Sequence, residues 1–184
     1  MPTIISHAVF GAALYVPFRN HLPRHFAVLG AVAAVGPDLD VIGFRFGVDY
    51  GDLLGHRGLS HSLAFAALVA GGIVLLSRSL PTRARFPAWL YLALAMASHG
   101  IFDAFTDGGL GVALLSPFSD DRFFFPWQPI EVSPLGLSRI FSARGMEVFA
   151  SELLWVGVPS LLVALFGLAA TRAATSRLSR LPDN

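Results

Sequence analysis

The sequence predicts an all-α, polytopic membrane helical bundle of about five membrane-associated helices. Three observations predict it. The chain is 54% hydrophobic with a mean hydropathy of +0.64. Only 14% of its residues are charged, against about 25% in an ordinary soluble domain. Its charges also sort by face once the apolar segments are threaded up and down through a bilayer.

The elements follow in order. Residues 4–16 read as a first helix, and the start lacks the basic region of a cleavable signal. Residues 24–35 read as a second, ended by Gly36-Pro37 because a residue before proline avoids the helical region. Residues 60–76 read as a third, with Ser60 as N-cap. Residues 88–106 read as a fourth, stopped by Gly108-Gly109. Residues 147–171 read as a fifth, kinked at Pro159. A span takes about 20 residues; segments three to five meet that, and one and two are short. Residues 173–184 read as a polar, Arg-bearing tail, so residues 1–172 form one domain.

Lysine and cysteine are both absent. Thiolate metal sites and disulfides are thereby excluded, and any metal must use nitrogen and oxygen ligands. A net charge of +1 gives no basic field for nucleic acid. Alternating topology collects Arg19, Arg24, Arg78, Arg83, Arg85, Arg172, Arg177 and Arg180 on one side. Eleven of the 12 acids fall on the other, with Arg45, Arg57, Arg122, Arg139 and Arg144. The positive-inside rule puts the arginine face in the cytoplasm of a multi-pass membrane protein and turns the acidic face outward.

His7, His56, His61 and His99 approach that acidic face; His21 and His25 lie in the opposite loop. G-P-D-L-D holds Asp38 and Asp40 in a turn, and His99, Asp103 and Asp107 recur at helical spacing on one face. Taken singly, each has a plainer use. An H-x-x-x-D pair can link membrane helices, P-D-L-D can be a turn, and Glu147 and Glu152 can be surface groups at a helix start. Together, imidazoles and carboxylates from four segments converge on one face. That points to a metal site, with more ligands than one ion uses: two or three zinc ions, or manganese. Arg57 can contact a phosphate oxygen or a lipid headgroup. Residues 116–130, rich in aromatics and prolines, cannot form a regular helix and suit the membrane interface, either as a lip that admits lipid or as an anchored loop. No G-x-S-x-G or H-E-x-x-H motif is present.

The ordered set H-x-x-x-G (His7, Gly11), G-P-D-L-D (36–40), G-H-R-G-L-S-H-S (55–62) and H-G-I-F-D-A-F-T (99–106) resembles the membrane-bound metal-dependent hydrolases described as YdjM-type, LexA-binding and inner-membrane-associated. The resemblance spans about residues 1–155, and its most specific part is H-R-G-x-[ST]-H-S. It implies a distant likeness to zinc-dependent phospholipase C and P1-type nucleases. It also implies His7, Asp38, Asp40, His56, His61, His99 and Asp103 as metal ligands, and leaves Glu147 and Glu152 open. The expected function is a membrane-embedded hydrolase using a metal-activated water on a phospholipid or lipid-linked phosphate, with Asp38, Asp40 and Arg57 as catalytic groups. Two alternatives stand beside it: a metal-ion transporter, which needs ligands near the midplane, and a non-catalytic scaffold stabilised by metal.

Overall fold

The computed structural model describes residues 1–133 and 142–178, with side chains through Ala174. Helix α1 spans Ile4–Ala13, and a 3₁₀ turn at Val16–Phe18 leads to α2, Phe26–Val35. α3 spans Leu63–Leu76 and α4 Thr82–Ala104. α5, Ala143–Glu152, runs through a π turn, Leu153–Gly157, into α6, Val158–Leu178. Among the described residues there is no β-strand, only isolated bridges pairing Thr106 with Ile130 and Val112 with Phe123.

Several boundaries differ from expectation for identifiable reasons. The helix does not stop at Gly36-Pro37; it tightens into a 3₁₀ helix over Gly36–Phe46. Gly36, having no Cβ, stays helical at φ −51° and ψ −40°, which escapes the clash that bars other residues before proline. Asp38 and Asp40 therefore lie on a continuing helix, not in a turn. Ser60 is not the cap of α3: that role belongs to Ser62, whose hydroxyl accepts from the Phe65 N–H at 3.1 Å. α4 starts at Thr82 and ends at Ala104, so Asp107 is off the helix and does not stack below Asp103. α5 begins at Ala143, where Ser142 accepts from the Gly145 N–H. Pro159 is accommodated just after the π turn, where the ladder is already shifted. The tail from Ala173 continues helically to Leu178; residues 179–184 and Arg139 lie outside the described residues.

Two helical runs, Phe26–Phe46 and Ala143–Ala174, are long and apolar enough to cross a membrane; Ile4–Phe18 and Leu63–Leu76 are apolar but shorter. α4 has 23 residues but carries Arg83, Arg85 and Asp103. The packing uses small residues, as membrane helices do in the absence of a hydrophobic driving force between them. A Cβ on Gly11 would meet the Gly30 carbonyl and Ala34, and one on Gly30 would enter the Tyr91 side chain. The buried Tyr91 hydroxyl reaches the Gly11 carbonyl at 2.9 Å and that of Phe26 at 3.1 Å. One side chain thus links α1, α2 and α4. α1 starts, and α2 and α4 end, at the same end of the bundle, which brings their polar termini together.

Candidate metal centre

Five side chains from these termini meet in the interior. His7 comes from the first turns of α1, Asp38 from the 3₁₀ extension of α2, His61 from the 3₁₀ turn Leu59–His61, and His99 and Asp103 from the last turns of α4. All five are buried. The His7 and His99 rings stack at 3.8 Å, and His61 meets His99 edge-on at 4.7 Å. Gly100 permits this approach, because a Cβ there would strike the His61 carbonyl.

Their polar atoms face one another without bonding. His7 Nε2 is 3.5 Å from Asp103 Oδ1, and His99 Nε2 is 3.2 Å from Asp38 Oδ1. His61 Nε2 lies 3.8 Å from Asp38 Oδ1 and 3.7 Å from Asp103 Oδ2. Among the described residues, both nitrogens of His7, Nε2 of His61 and His99, and all four oxygens of Asp38 and Asp103 are buried with no hydrogen-bond partner. A native interior rarely tolerates that, at about 1–3 kcal/mol per unsatisfied group. The spacings suit a shared cation: ligands about 2.0–2.2 Å from a tetrahedral ion sit about 3.3–3.6 Å from each other. Ligand atoms within 4.8 Å of one another form two triplets, His7/His99/Asp103 and Asp38/His56/His61. The donor set, imidazole and carboxylate, fits zinc or manganese.

The outward nitrogens are held in place. His99 Nδ1 donates to the Ala34 carbonyl at 2.7 Å, which leaves Nε2 as the free lone pair. His61 Nδ1 lies 2.9 Å from Ser60 Oγ and 3.2 Å from Asp40 Oδ2. Ser60 Oγ donates to Asp40 at 2.7 Å, so it accepts from His61 and leaves that Nε2 free as well. Burial holds His61 below the usual imidazole range, in the neutral form a ligand needs.

Asp40 stands outside the unpartnered set. Its carboxylate receives His56 Nδ1 at 2.8 Å, the Ser60 hydroxyl, and the Arg57 backbone N–H at 3.3 Å. It therefore orients two imidazoles, as carboxylates behind metal-binding histidines do. His56, with Nδ1 on Asp40, has Nε2 3.2 Å from Met1 Sδ.

Arg57, expected at an open phosphate or headgroup position, is 1% exposed and turned inward. Its Nε sits 3.1 Å from Asp103 Oδ2, one terminal nitrogen donates to the Gly108 carbonyl at 2.7 Å, and the other to Thr106 Oγ1 at 3.0 Å. Its backbone has φ +63°, a region that few non-glycine residues occupy. Gly108-Gly109 is less a helix stop than a cradle for this side chain: Gly109 has φ +97°, and a Cβ there would strike the guanidinium. Asp107, off the helix, accepts from the Val132 N–H at 2.7 Å.

The segment after α4 closes this end. Phe125 N–H donates to the Ala104 carbonyl, the Phe125 ring stacks on Phe105 at 4.2 Å, and Trp127 meets Trp155 edge-on at 4.4 Å. Phe124 lies 6.0 Å from the Arg57 guanidinium. Arg122 donates to the His56, Tyr50 and Asp52 carbonyls and ties this segment to the histidine loop.

Sequence reasoning missed Glu152. It is 2% exposed, not a surface group, and takes the Thr3 N–H at 2.5 Å, the Thr3 hydroxyl at 2.7 Å and the Ser6 hydroxyl at 2.6 Å. It anchors the start of α1 within a turn of His7. The available signal was an acid inside a strongly apolar run. Glu147 is exposed and pairs with Arg144.

The matching family model is described as YdjM inner membrane protein and covers residues 1–177. The chain is similar to Inner membrane protein YbcI of Escherichia coli (strain K12), 41% identical over 164 residues, which is 89% of this chain and 95% of the relative. No solved structure matches significantly, and these comparisons do not support the expected distant likeness to phospholipase C and P1 nucleases. On a match that runs nearly from end to end, the chain belongs to the YdjM inner membrane protein family.

Proposed function

We propose that this protein is a membrane-embedded metal-dependent hydrolase acting on a phosphoester of a membrane lipid. The observation that carries the reading is the set of buried, unpartnered imidazole nitrogens and carboxylate oxygens from four chain segments. His7, His99 and Asp103 would hold one ion, and Asp38, His61 and His56 a second, most simply zinc. Such a pair of ions supplies Lewis acidity toward a phosphoryl oxygen and makes water a nucleophile near neutral pH. Asp40 fixes His61 and His56 from behind, and Arg57 holds Asp103 while balancing part of its charge. Burial lowers the dielectric around the centre, which strengthens each of these interactions.

The charge sorting supports a multi-pass inner-membrane chain with its centre toward the extracytoplasmic face. The test is hydrolysis of phosphatidate and of a generic phosphodiester by detergent-purified protein, with and without zinc. Turnover that needs metal and vanishes in Asp38→Ala and His99→Ala supports the reading; turnover unchanged in both variants sinks it. The near-complete burial of the ligands favours a second reading, a non-catalytic scaffold stabilised by metal. Tight metal with no turnover on any phosphoester would select it.

A further inference from the structure

An apolar groove of about 310 Å³ runs along the outer side of the α1–α2 pair. Ala8, Ala31 and Gly36 are small residues along it, Val28, Val32, Val35 and Leu39 complete its lining, and no polar side chain lines it. Val28, Val32 and Leu39 are more than 60% exposed, so the groove opens sideways, away from the bundle core. One end of the groove adjoins the chain neighbours of the metal centre: Ala8 follows His7 in α1, and Gly36 and Leu39 flank Asp38, while the centre's own side chains turn inward and do not line the groove. Its helical length from Val28 to Gly36 is about 12 Å at 1.5 Å per residue, close to the roughly 15 Å depth of one leaflet. Its volume falls at the low end of ligand pockets, about 300–1,000 Å³.

We infer that this groove holds one acyl chain of a phospholipid and so presents its phosphoester to the centre at the groove's Asp38 end. The inference rests on the lipid phosphoester reading and narrows its substrate class. Lipid is the solvent on this flank of an inner-membrane protein. A groove one leaflet deep, apolar throughout and ending beside buried carboxylates and imidazoles selects a lipid by tail and headgroup together.

The experiment uses the full chain in nanodiscs with a phosphatidate carrying a diazirine in mid-acyl chain. Cross-links are expected at Val28, Ala31 and Val32 about tenfold above residues 161–166 of the exposed α6 face, corresponding to about 1.4 kcal/mol of preference. Excess unlabelled phosphatidate should remove the groove signal and spare α6. Val32→Trp should abolish it, and should lower phosphatidate hydrolysis about tenfold. Equal labelling of the groove and α6 overturns the inference. So does a disulfide-linked dimer of the Val32→Cys variant, which would assign the groove to a second copy; the native chain has no cysteine. Cross-linking needs no turnover, so it can be read on metal-stripped wild-type protein. Selective labelling without hydrolysis by the metal-loaded protein keeps the groove and discards the hydrolase; hydrolysis without selective labelling does the reverse.

Discussion

Asp38 and Asp40 stand two residues apart on one 3₁₀ helix, yet they belong to different regions of the site. Asp38 faces inward, among His61, His99 and Asp103, and neither oxygen has a hydrogen-bond partner. Asp40 faces the histidine loop and is bonded to His56, Ser60 and the Arg57 backbone. At three residues per turn, positions i and i+2 point about 240° apart, so one short helix feeds both regions. The inner region has donors and acceptors left over; the outer region is saturated. On the metal reading, that difference separates the atoms that would hold a cation from the atoms that would hold its ligands.

The comparison can be broken most forcefully at Arg57, whose backbone N–H serves Asp40 in the outer region and whose guanidinium faces Asp103 in the inner one. Arg57→Ala removes the positive charge that faces the buried Asp103 carboxylate and should cost about 3–5 kcal/mol, read as a large loss of thermal stability in detergent. Metal removal comes next: chelation should lower stability by about 4 kcal/mol relative to protein holding free metal at a thousand times its dissociation constant. Asp38→Asn should separate the regions by sign. Metal-free variant should be at least as stable as metal-free wild type, because a buried unpartnered carboxylate worth about 1–3 kcal/mol is relieved, whereas metal affinity should collapse. Asp40→Asn should do otherwise, lowering metal affinity about 10–100-fold through the histidines it orients; isothermal titration with zinc distinguishes the two. The smallest effect is Ser62→Ala, about 1 kcal/mol from a lost helix cap, whereas Ser60→Ala should instead disturb His61 and metal affinity.

The helical architecture was legible because apolar runs and their interruptions report it directly. The four segments that meet at the site were legible as motifs, since charge sorting assigned them to one end before any geometry was known. What escaped was decided by backbone detail. Gly36 allows a helical conformation before proline that other residues avoid, so G-P-D-L-D became a 3₁₀ helix and split its two acids. Ser60 and Ser62 are equally good caps by type, and only the 3₁₀ turn at 59–61 hands the role to Ser62. Arg57 turns inward because Gly109 leaves room for its guanidinium, a tertiary fact with no local signature. Glu152 is far in sequence from Thr3 and Ser6, the groups that satisfy it.

The central claim is that the unpartnered inner atoms are cation ligands. Elemental analysis of protein purified from zinc-supplemented cells tests it most directly, with wild type and Asp38→Asn/His99→Ala compared at equal folded yield. The account predicts two zinc ions per chain in the wild type and at most one in the double variant. Wild-type protein that comes from zinc-supplemented cells folded but with no bound metal would contradict it.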